Sequence, residues 1–271
     1  MPPTPPAEPR PLVPPPASAS VRALSFSAAA ALYAAARPGY PPGVFAALEE
    51  ATGRPLDALR AVDVGAGTGI ATRELVRRGA HVVAVEPGDG MAAELRRALP
   101  GVPVVRGDGN HLPLADGVAD LVTYAQSWHW TDPARSWPEA ARVLRPGGIL
   151  ALWWNVADHE VPWVAEQDSR IRRHLGADHG VHAVPAPGDA SRAVGLPTKG
   201  TARHRLPWSR RVSIRTHLDN LASHSAFLVR DGEPARADRR FLTEEGARLR
   251  ELFPDGTVEE RYVVDLTTTA V

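Results

Sequence analysis

Residues 62–70 of this chain read Val62-Asp63-Val64-Gly65-Ala66-Gly67-Thr68-Gly69-Ile70. An acid ends an apolar run, and glycines follow at 65, 67 and 69. Glycine has no Cβ, so the backbone of such a turn can approach a ligand closely. A strand that turns into a helix in this way is where a doubly wound α/β sheet meets the polar part of a nucleoside cofactor. The dinucleotide fingerprint Gly-x-Gly-x-x-Gly needs its third glycine at position 70, where this chain has Ile70. Glu86 ends the next apolar run, Val82-Val83-Ala84-Val85. A carboxylate there can accept hydrogen bonds from both hydroxyls of a ribose, in NAD proteins as in others, so Glu86 alone does not select the cofactor.

These side chains need a framework of alternating strands and helices. Strands are expected over Ala61–Val64, His81–Val85, Val102–Arg106, Leu121–Ala125 and Ile149–Trp154, with helices over Ile70–Arg78, Met91–Leu99 and Pro138–Leu144. Apolar runs of this length next to glycine read as strands covered on both faces. Alternation with helices implies parallel order and right-handed crossovers. Upstream, Ser27–Ala36 and Gly43–Thr52 favour helix, separated by the breaker Arg37-Pro38-Gly39-Tyr40-Pro41-Pro42. Downstream, Asp158–Leu175, Ile214–Val229 and Glu244–Leu252 read as helices, Gly176–Lys199 as a loop, and Arg203–Trp208 and Val258–Thr268 as strands. Nine of the first sixteen residues are proline, so residues 1–20 are expected to form an extended tail. Residues 21–271 are read as one domain, with a core over 55–155, a variable insert over 156–200 and closing elements over 201–271.

Lysine plus arginine and aspartate plus glutamate number 31 each in 271 residues. Such a balance gives no electrostatic grip on nucleic acid or an anionic membrane. The absence of cysteine excludes disulfides, thiolate metal sites and cysteine nucleophiles. No apolar run approaches the roughly 20 residues that span a bilayer, and a cytoplasmic location is expected. His174, His179 and His182 lie close together, but in a loop-like, glycine-rich stretch that does not read as a metal site.

The pattern Asp-x-Gly-x-Gly-x-Gly resembles the first motif of the class I S-adenosylmethionine (SAM)-dependent methyltransferases. In that family the turn packs against the methionine part of SAM. The resemblance therefore implies cofactor contacts at Gly65, Ala66, Gly67, Thr68 and Gly69, with Asp63 holding the amino group, often through water. Glu86-Pro87 followed by Gly88-Asp89-Gly90-Met91 resembles the methyltransferase version of the second strand end, with Met91 near the adenine. Asp108, in Gly107-Asp108-Gly109-Asn110, matches the residue that meets the adenine amino group; Gly109 lies beside it. Asp120 is expected to be structural. Tyr124-Ala125-Gln126-Ser127-Trp128-His129-Trp130 resembles the Ala-Gln-x-x-His-Trp signature of a subgroup that includes trans-aconitate-methyltransferase-like enzymes. The likeness puts Gln126 beside the cofactor, His129 near the transferred methyl or the substrate, and Trp128 and Trp130 in the pocket wall. Trp154 and Asn155, at the end of the fifth strand, are implied to frame the substrate. Tyr33-x-x-x-Arg37-Pro38-Gly39-Tyr40-Pro41 matches a preface that folds over bound cofactor. Arg37 would meet the SAM carboxylate, and Tyr33 or Tyr40 would sit near the sulfonium. Each residue also has a plainer reading: packing for the tryptophans and Met91, orientation for His129, a surface ion pair for Arg37.

The resemblance implies a Rossmann-like, mostly parallel sheet of order 3-2-1-4-5-7-6, with an N-terminal helical cap and an insert after the fifth strand. It implies in-line methyl transfer from SAM to a small molecule, with His129 the first candidate base and Tyr33 a further catalytic candidate. Cleavage of the aminocarboxypropyl arm by a lyase or cyclase, NAD-dependent oxidoreduction and non-catalytic SAM binding stay open as alternatives. The substrate and the oligomeric state are not legible.

Overall fold

Short apolar runs set the frame. Arg60–Val64 (β1), His81–Val85 (β2), Val104–Val105 (β3), Ala119–Ala125 (β4) and Leu144–Ala157 (β5) are strands. They pair in parallel, β1 between β2 and β4, with β3 outside β2 and β5 outside β4. Two long strands, Thr201–Ser213 (β6) and Thr257–Ala270 (β7), complete the sheet. β7 runs antiparallel to β5, and β6 antiparallel to β7. The order β3-β2-β1-β4-β5-β7-β6 is the one expected above. The computed structural model describes residues 30–176, 195–197, 199–228 and 232–271. The proline-rich tail, residues 21–29, His179, His182 and most of the expected loop lie outside the described residues.

The helices are Ala30–Ala36 (α1), Pro42–Thr52 (α2), Ile70–Arg77 (α3), Asp89–Ala98 (α4), Pro133–Val143 (α5), Pro162–Leu175 (α6), Ile214–Ala222 (α7), Ser225–Leu228 (α8) and Gly232–Leu252 (α9). Helix α5 starts five residues before the expected Pro138, which lies inside it. Asp132 caps it by accepting from the Ala134 N–H (3.0 Å), and Pro133 takes the first helical position, where its missing N–H costs nothing. Helix α6 likewise opens on Pro162 rather than Asp158. The helix expected over Ile214–Val229 is interrupted at Ser223-His224, and α9 starts well before Glu244 because its arginine-rich first half lacks the apolar spacing that would announce it. The short strand expected at Arg203–Trp208 extends to thirteen residues, all paired with β7; Pro207 is tolerated because β6 lies at the sheet edge. Within β5, Arg145–Gly148 bulge out between the Ala119–Leu144 and Leu121–Ile149 pairs.

One face of the sheet packs on α2 and α3 through Val44, Phe45, Leu48, Ala71 and Leu75. The other packs on α5 through Ala140 and Val143, with Trp128 and Leu152. Helices α6, α7, α8 and α9 form a separate apolar cluster around Ile171, Leu221, Phe227 and Phe241, at the edge that holds the carboxyl ends of β5 and β6 and the amino end of β7. Among the described residues no helix is long and apolar enough to cross a membrane.

Candidate active site

The strand order reverses between β1 and β4, and a crevice opens at the carboxyl edge of the sheet at such a reversal. The glycine turn leads from β1 into α3 there. Gly65 stands at φ +66°, and a Cβ on it would lie 2.5 Å from the Cβ of Ser127. Gly67 stands at φ +58° with no atom within 4 Å of where its Cβ would be, so its outer face is open. Glu86, at the end of β2, accepts from the N–H groups of Gly67 (2.8 Å) and Gly88 (2.7 Å). Those bonds hold the carboxylate beside the turn, and each oxygen keeps further acceptor capacity. Loss of hydration raises the Glu86 pKa, against the pull of the two backbone N–H groups.

Asp63 is fully buried. Its oxygens accept from the hydroxyls of Thr72 (2.6 Å) and Thr123 (2.9 Å). Burial nevertheless pushes its carboxyl up to about 6, because two hydroxyl donors replace only part of a carboxylate's hydration. Thr68, in the turn itself, buries a hydroxyl oxygen that has no hydrogen-bond partner. Asp108 lies exposed after β3, and one of its oxygens accepts from the Asn110 N–H (2.7 Å). Gly109 is pressed against Tyr124 and Thr131, within 2.8 Å of a would-be Cβ. Pro87 accepts from Arg106 through its carbonyl, and Met91 is buried on α4.

At the end of β4 the chain turns sharply. Gln126 adopts φ +61°, which is uncommon for a residue with a side chain and marks local strain. Its N–H donates to the Trp153 carbonyl (2.9 Å). Trp128, expected in the pocket wall, packs into the core instead, edge-on to Tyr124 with ring centroids 4.7 Å apart. The single 3-10 turn Trp128–Trp130 spreads its three side chains around the axis: Trp128 is buried, while His129 and Trp130 are not and lie with ring centroids 4.5 Å apart. The Trp154 indole N–H donates to His129 Nδ1 (3.2 Å). An indole nitrogen only donates, so Nδ1 carries a lone pair and the ring proton sits on Nε2. The protein crowded around the ring and the Arg37 charge push the His129 pKa down to about 4. His129 as a whole residue is exposed, so the geometry at Nδ1 is the firmer sign of a neutral imidazole.

The N-terminal segment lies over this edge. The Arg37 guanidinium stacks 4.7 Å above the Tyr33 ring, as their spacing of four on a helix predicts. Tyr40 meets Trp153 edge-on at 5.5 Å. Burial raises the Tyr40 pKa, and the nearby Tyr33 and Asp63 add to the shift. Asn155 ties the segment down: its Nδ2 donates to the Gly39 carbonyl (3.0 Å), and its Oδ1 accepts from the Trp208 indole (2.9 Å). Arg210 adds bonds to the carbonyls of Ala36 (2.6 Å) and Arg37 (3.1 Å).

Beneath this strap lies a chamber of about 60 Å³. Arg37, Gln126 and Asn155 line one side of it; Gln167 of α6, His217 and Asn220 of α7 and Glu260 of β7 line the other. The last four were not singled out from the sequence, where the cap segments carry no motif. They form a buried chain of bonds. Arg210 pairs with Glu260 (2.5 Å), Glu260 with His217 Nδ1 (2.7 Å), His217 Nε2 with Gln167 Oε1 (3.0 Å), and Gln167 donates to Glu245 (3.4 Å). His174 faces Asp238 (2.6 Å) and stacks on Phe241. Asp120 lies at the amino edge, where it accepts from Arg54 (2.5 Å) and from the Arg60 N–H (2.7 Å).

Comparison with known proteins places these features among relatives. Residues 62–152 match the family model described as a methyltransferase domain. An uncharacterized methyltransferase of Mycobacterium tuberculosis is 42% identical over 205 residues, covering 74% of this chain and 77% of the relative. One from Schizosaccharomyces pombe is 34% identical over 160 residues, 56% of this chain and 61% of its own. The solved structure of a protein provisionally assigned as a type II methyltransferase, from Anaeromyxobacter dehalogenans, superposes with a TM-score of 0.56 at 26% identity, over 86% of this chain and 96% of that one.

Proposed function

From the premise that this chain belongs to the class I SAM-dependent methyltransferases, we propose that it transfers a methyl group from SAM to a small organic acceptor held in the chamber under the cap. The chamber carries the reading. It is lined by Arg37, Gln126 and the buried Asn155, His217, Asn220 and Glu260, and it opens beside Gln126, at the carboxyl edge where the glycine turn lies.

The residues of the crevice fit the cofactor. The open face of Gly67 and the unpartnered Thr68 hydroxyl leave room and a polar group where the tail would lie. Gly65, Ala66, Gly67, Thr68 and Gly69 would cradle the methionine part. Glu86 would take the ribose hydroxyls with its remaining acceptor capacity. Pro87 and Met91 would flank the adenine, with Asp108 and Gly109 at its amino group. Gln126 would stand between cofactor and acceptor, and Tyr33 would close the crevice from above. Bound SAM supplies a methyl group already activated on a sulfonium. Asp63 and Glu86 put two carboxylates behind the turn, which favours a cationic ligand. The remaining work of the protein is to hold the acceptor at attack distance and keep water out.

His129 enters this scheme as a donor. Its Nδ1 is occupied by Trp154 and its proton is on Nε2, so it orients an acceptor oxygen or nitrogen rather than removing a proton from it. Trp130 and Trp154 flank it. Asn155 acts by holding the strap at Gly39, since both ends of its amide are bonded within the protein.

The test is to incubate the full chain with methyl-labelled SAM and a small-molecule extract, and to identify both products by mass. S-adenosylhomocysteine with a labelled acceptor is expected. Methylthioadenosine would mean cleavage of the aminocarboxypropyl arm, and bound SAM without any product would mean a binding protein.

A further inference from the structure

Two polar groups on the lining of the chamber are left unmet by the protein. The first is on Asn220, which is 4% exposed. Its Nδ2 donates to Glu260 (3.3 Å) and to the Tyr262 hydroxyl (3.0 Å). The opposite flip would set an amide oxygen against the Glu260 carboxylate, so the orientation is determined. Its Oδ1 is then buried with no hydrogen-bond partner. The second is on Arg37. Its Nη2 donates to the Ser223 carbonyl (3.0 Å), and its Nε is buried with no partner. Both side chains are tied to one turn at the end of α7, because the Asn220 carbonyl accepts from the Ser223 hydroxyl (2.6 Å).

The charges around the chamber sharpen the point. Glu260 is matched by Arg210 (2.5 Å) and His217 (2.7 Å), Asp168 by Arg172 (2.6 Å), and Arg261 faces Glu259 (3.7 Å). Among the described residues Arg37 has no carboxylate partner. A buried donor without a partner, on a cation without a counter-charge, is costly unless a ligand supplies both.

We propose that the acceptor is a small hydroxy or amino acid: its carboxylate sits on Arg37, and an O–H or N–H a few bonds away donates to Asn220 Oδ1. The proposal rests on reading the chamber as the acceptor site. One uncompensated positive charge matches a carboxylate; a phosphate, at about −1.5 to −2, would leave negative charge facing Glu260 and Asp168. The competing occupant of Arg37 is the carboxylate of the cofactor. The chamber lining favours the acceptor, since it contains Arg37 and Asn220 together and no residue of the glycine turn.

The experiment splits a bacterial small-molecule extract on a strong anion exchanger and offers each fraction, with methyl-labelled SAM, to the full chain. Methyl acceptance is expected in the retained fraction, in a product that contains a carboxyl group and an O–H or N–H. Arg37→Gln should raise the KM of that acceptor at least about tenfold, the loss expected for a charge-assisted hydrogen bond, and leave the SAM Kd unchanged by titration calorimetry. The analogue lacking the O–H or N–H should bind the wild-type protein at least about tenfold more weakly, and Asn220→Ala should abolish that discrimination. If Asn220→Ala does not fold, the analogue on wild type decides. Acceptance in the unretained fraction, equal binding of the analogue, or a weakened SAM Kd in Arg37→Gln would overturn the proposal while methyl transfer stands. Bound SAM with no methylated product in any fraction would overturn the underlying function as well.

Discussion

Alanine at Gly65 and at Gly67 should separate backbone strain from packing in the glycine turn. Both residues are left-handed, at φ +66° and +58°, and a side chain there costs about 1–2 kcal/mol. Gly67→Ala adds nothing further to folding, since its Cβ meets no atom within 4 Å. Gly65→Ala adds a contact of 2.5 Å with the Ser127 Cβ. Ser127 cannot retreat freely, because its hydroxyl donates to the Val64 carbonyl (2.5 Å). Overpacking of this kind costs about 1–3 kcal/mol more, which for a chain of this size separates the two melting temperatures by roughly 2–12 °C. Scanning calorimetry of the full chain should find Gly65→Ala the lower. SAM titrations should rank the variants differently. Gly67→Ala pushes a methyl into the proposed cofactor space and should weaken SAM by about 5- to 150-fold, the same 1–3 kcal/mol read as affinity. Ser127→Gly supplies the internal control: it should destabilise the wild type, where it deletes a hydrogen bond, and stabilise Gly65→Ala, where it removes the clash. Coincident melting of the two alanine variants, or the same effect of Ser127→Gly in both backgrounds, would refute the reasoning.

Three further outcomes follow from the same geometry. Asp63 titrates at about 6 in the fold against 3.8 free, so the fold binds its proton more tightly; the resulting stability is present below about pH 4 and lost as pH rises through 6. Ionisation at neutral pH therefore costs on the order of 3 kcal/mol, and Asp63→Asn should raise the melting temperature at pH 8, leave it unchanged near pH 4 and weaken SAM binding; a fall at pH 8 would count against the burial argument. His129 titrates at about 4 in the fold against 6.5 free, so its contribution to stability is full above 6.5 and lost as pH falls toward 4. Its ring signals in NMR should hold steady from pH 8 to 6, and His129→Asn should retain most turnover. A basic limb near pH 6.5 in the turnover profile that vanishes in His129→Asn would make it a base after all. Asp120→Ala, at the amino edge, should cost about 1–3 kcal/mol through the loss of its bonds to Arg54 and the Arg60 N–H, with kcat and the SAM Kd unchanged; a changed SAM Kd would show that the two sheet edges are coupled.

The alternation of strands and helices, the glycine turn and the acids at the ends of β1 and β2 are legible in the chain because they are local. A two- or 3.6-residue period and a left-handed glycine are properties of neighbouring residues. Boundaries slipped where a local signal had two meanings. Pro138 looked like a helix start, yet Asp132-Pro133 is the stronger cap, and the proline further along is accommodated inside α5. The paired length of β6 was hidden for a similar reason, because an edge strand alternates weakly and its partner β7 lies some fifty residues away in sequence.

Side-chain roles at the site depended on segments far apart in the chain. Asn155 meets Gly39 across 116 residues and Trp208 across 53, and no spacing rule reaches that far. Trp128 and Trp130 are two residues apart, yet one enters the core and the other does not, a choice made by how the turn after β4 seats on Tyr124. His129 could have been a base until the packing of β5 brought the Trp154 indole onto its lone pair. The chamber exists only because the register of β5, β7 and β6 carries α6 and α7 over the sheet edge. Chain-local geometry therefore prescribes where a nucleoside can lie, while the partner of each polar atom is decided when distant elements dock and water is excluded between them.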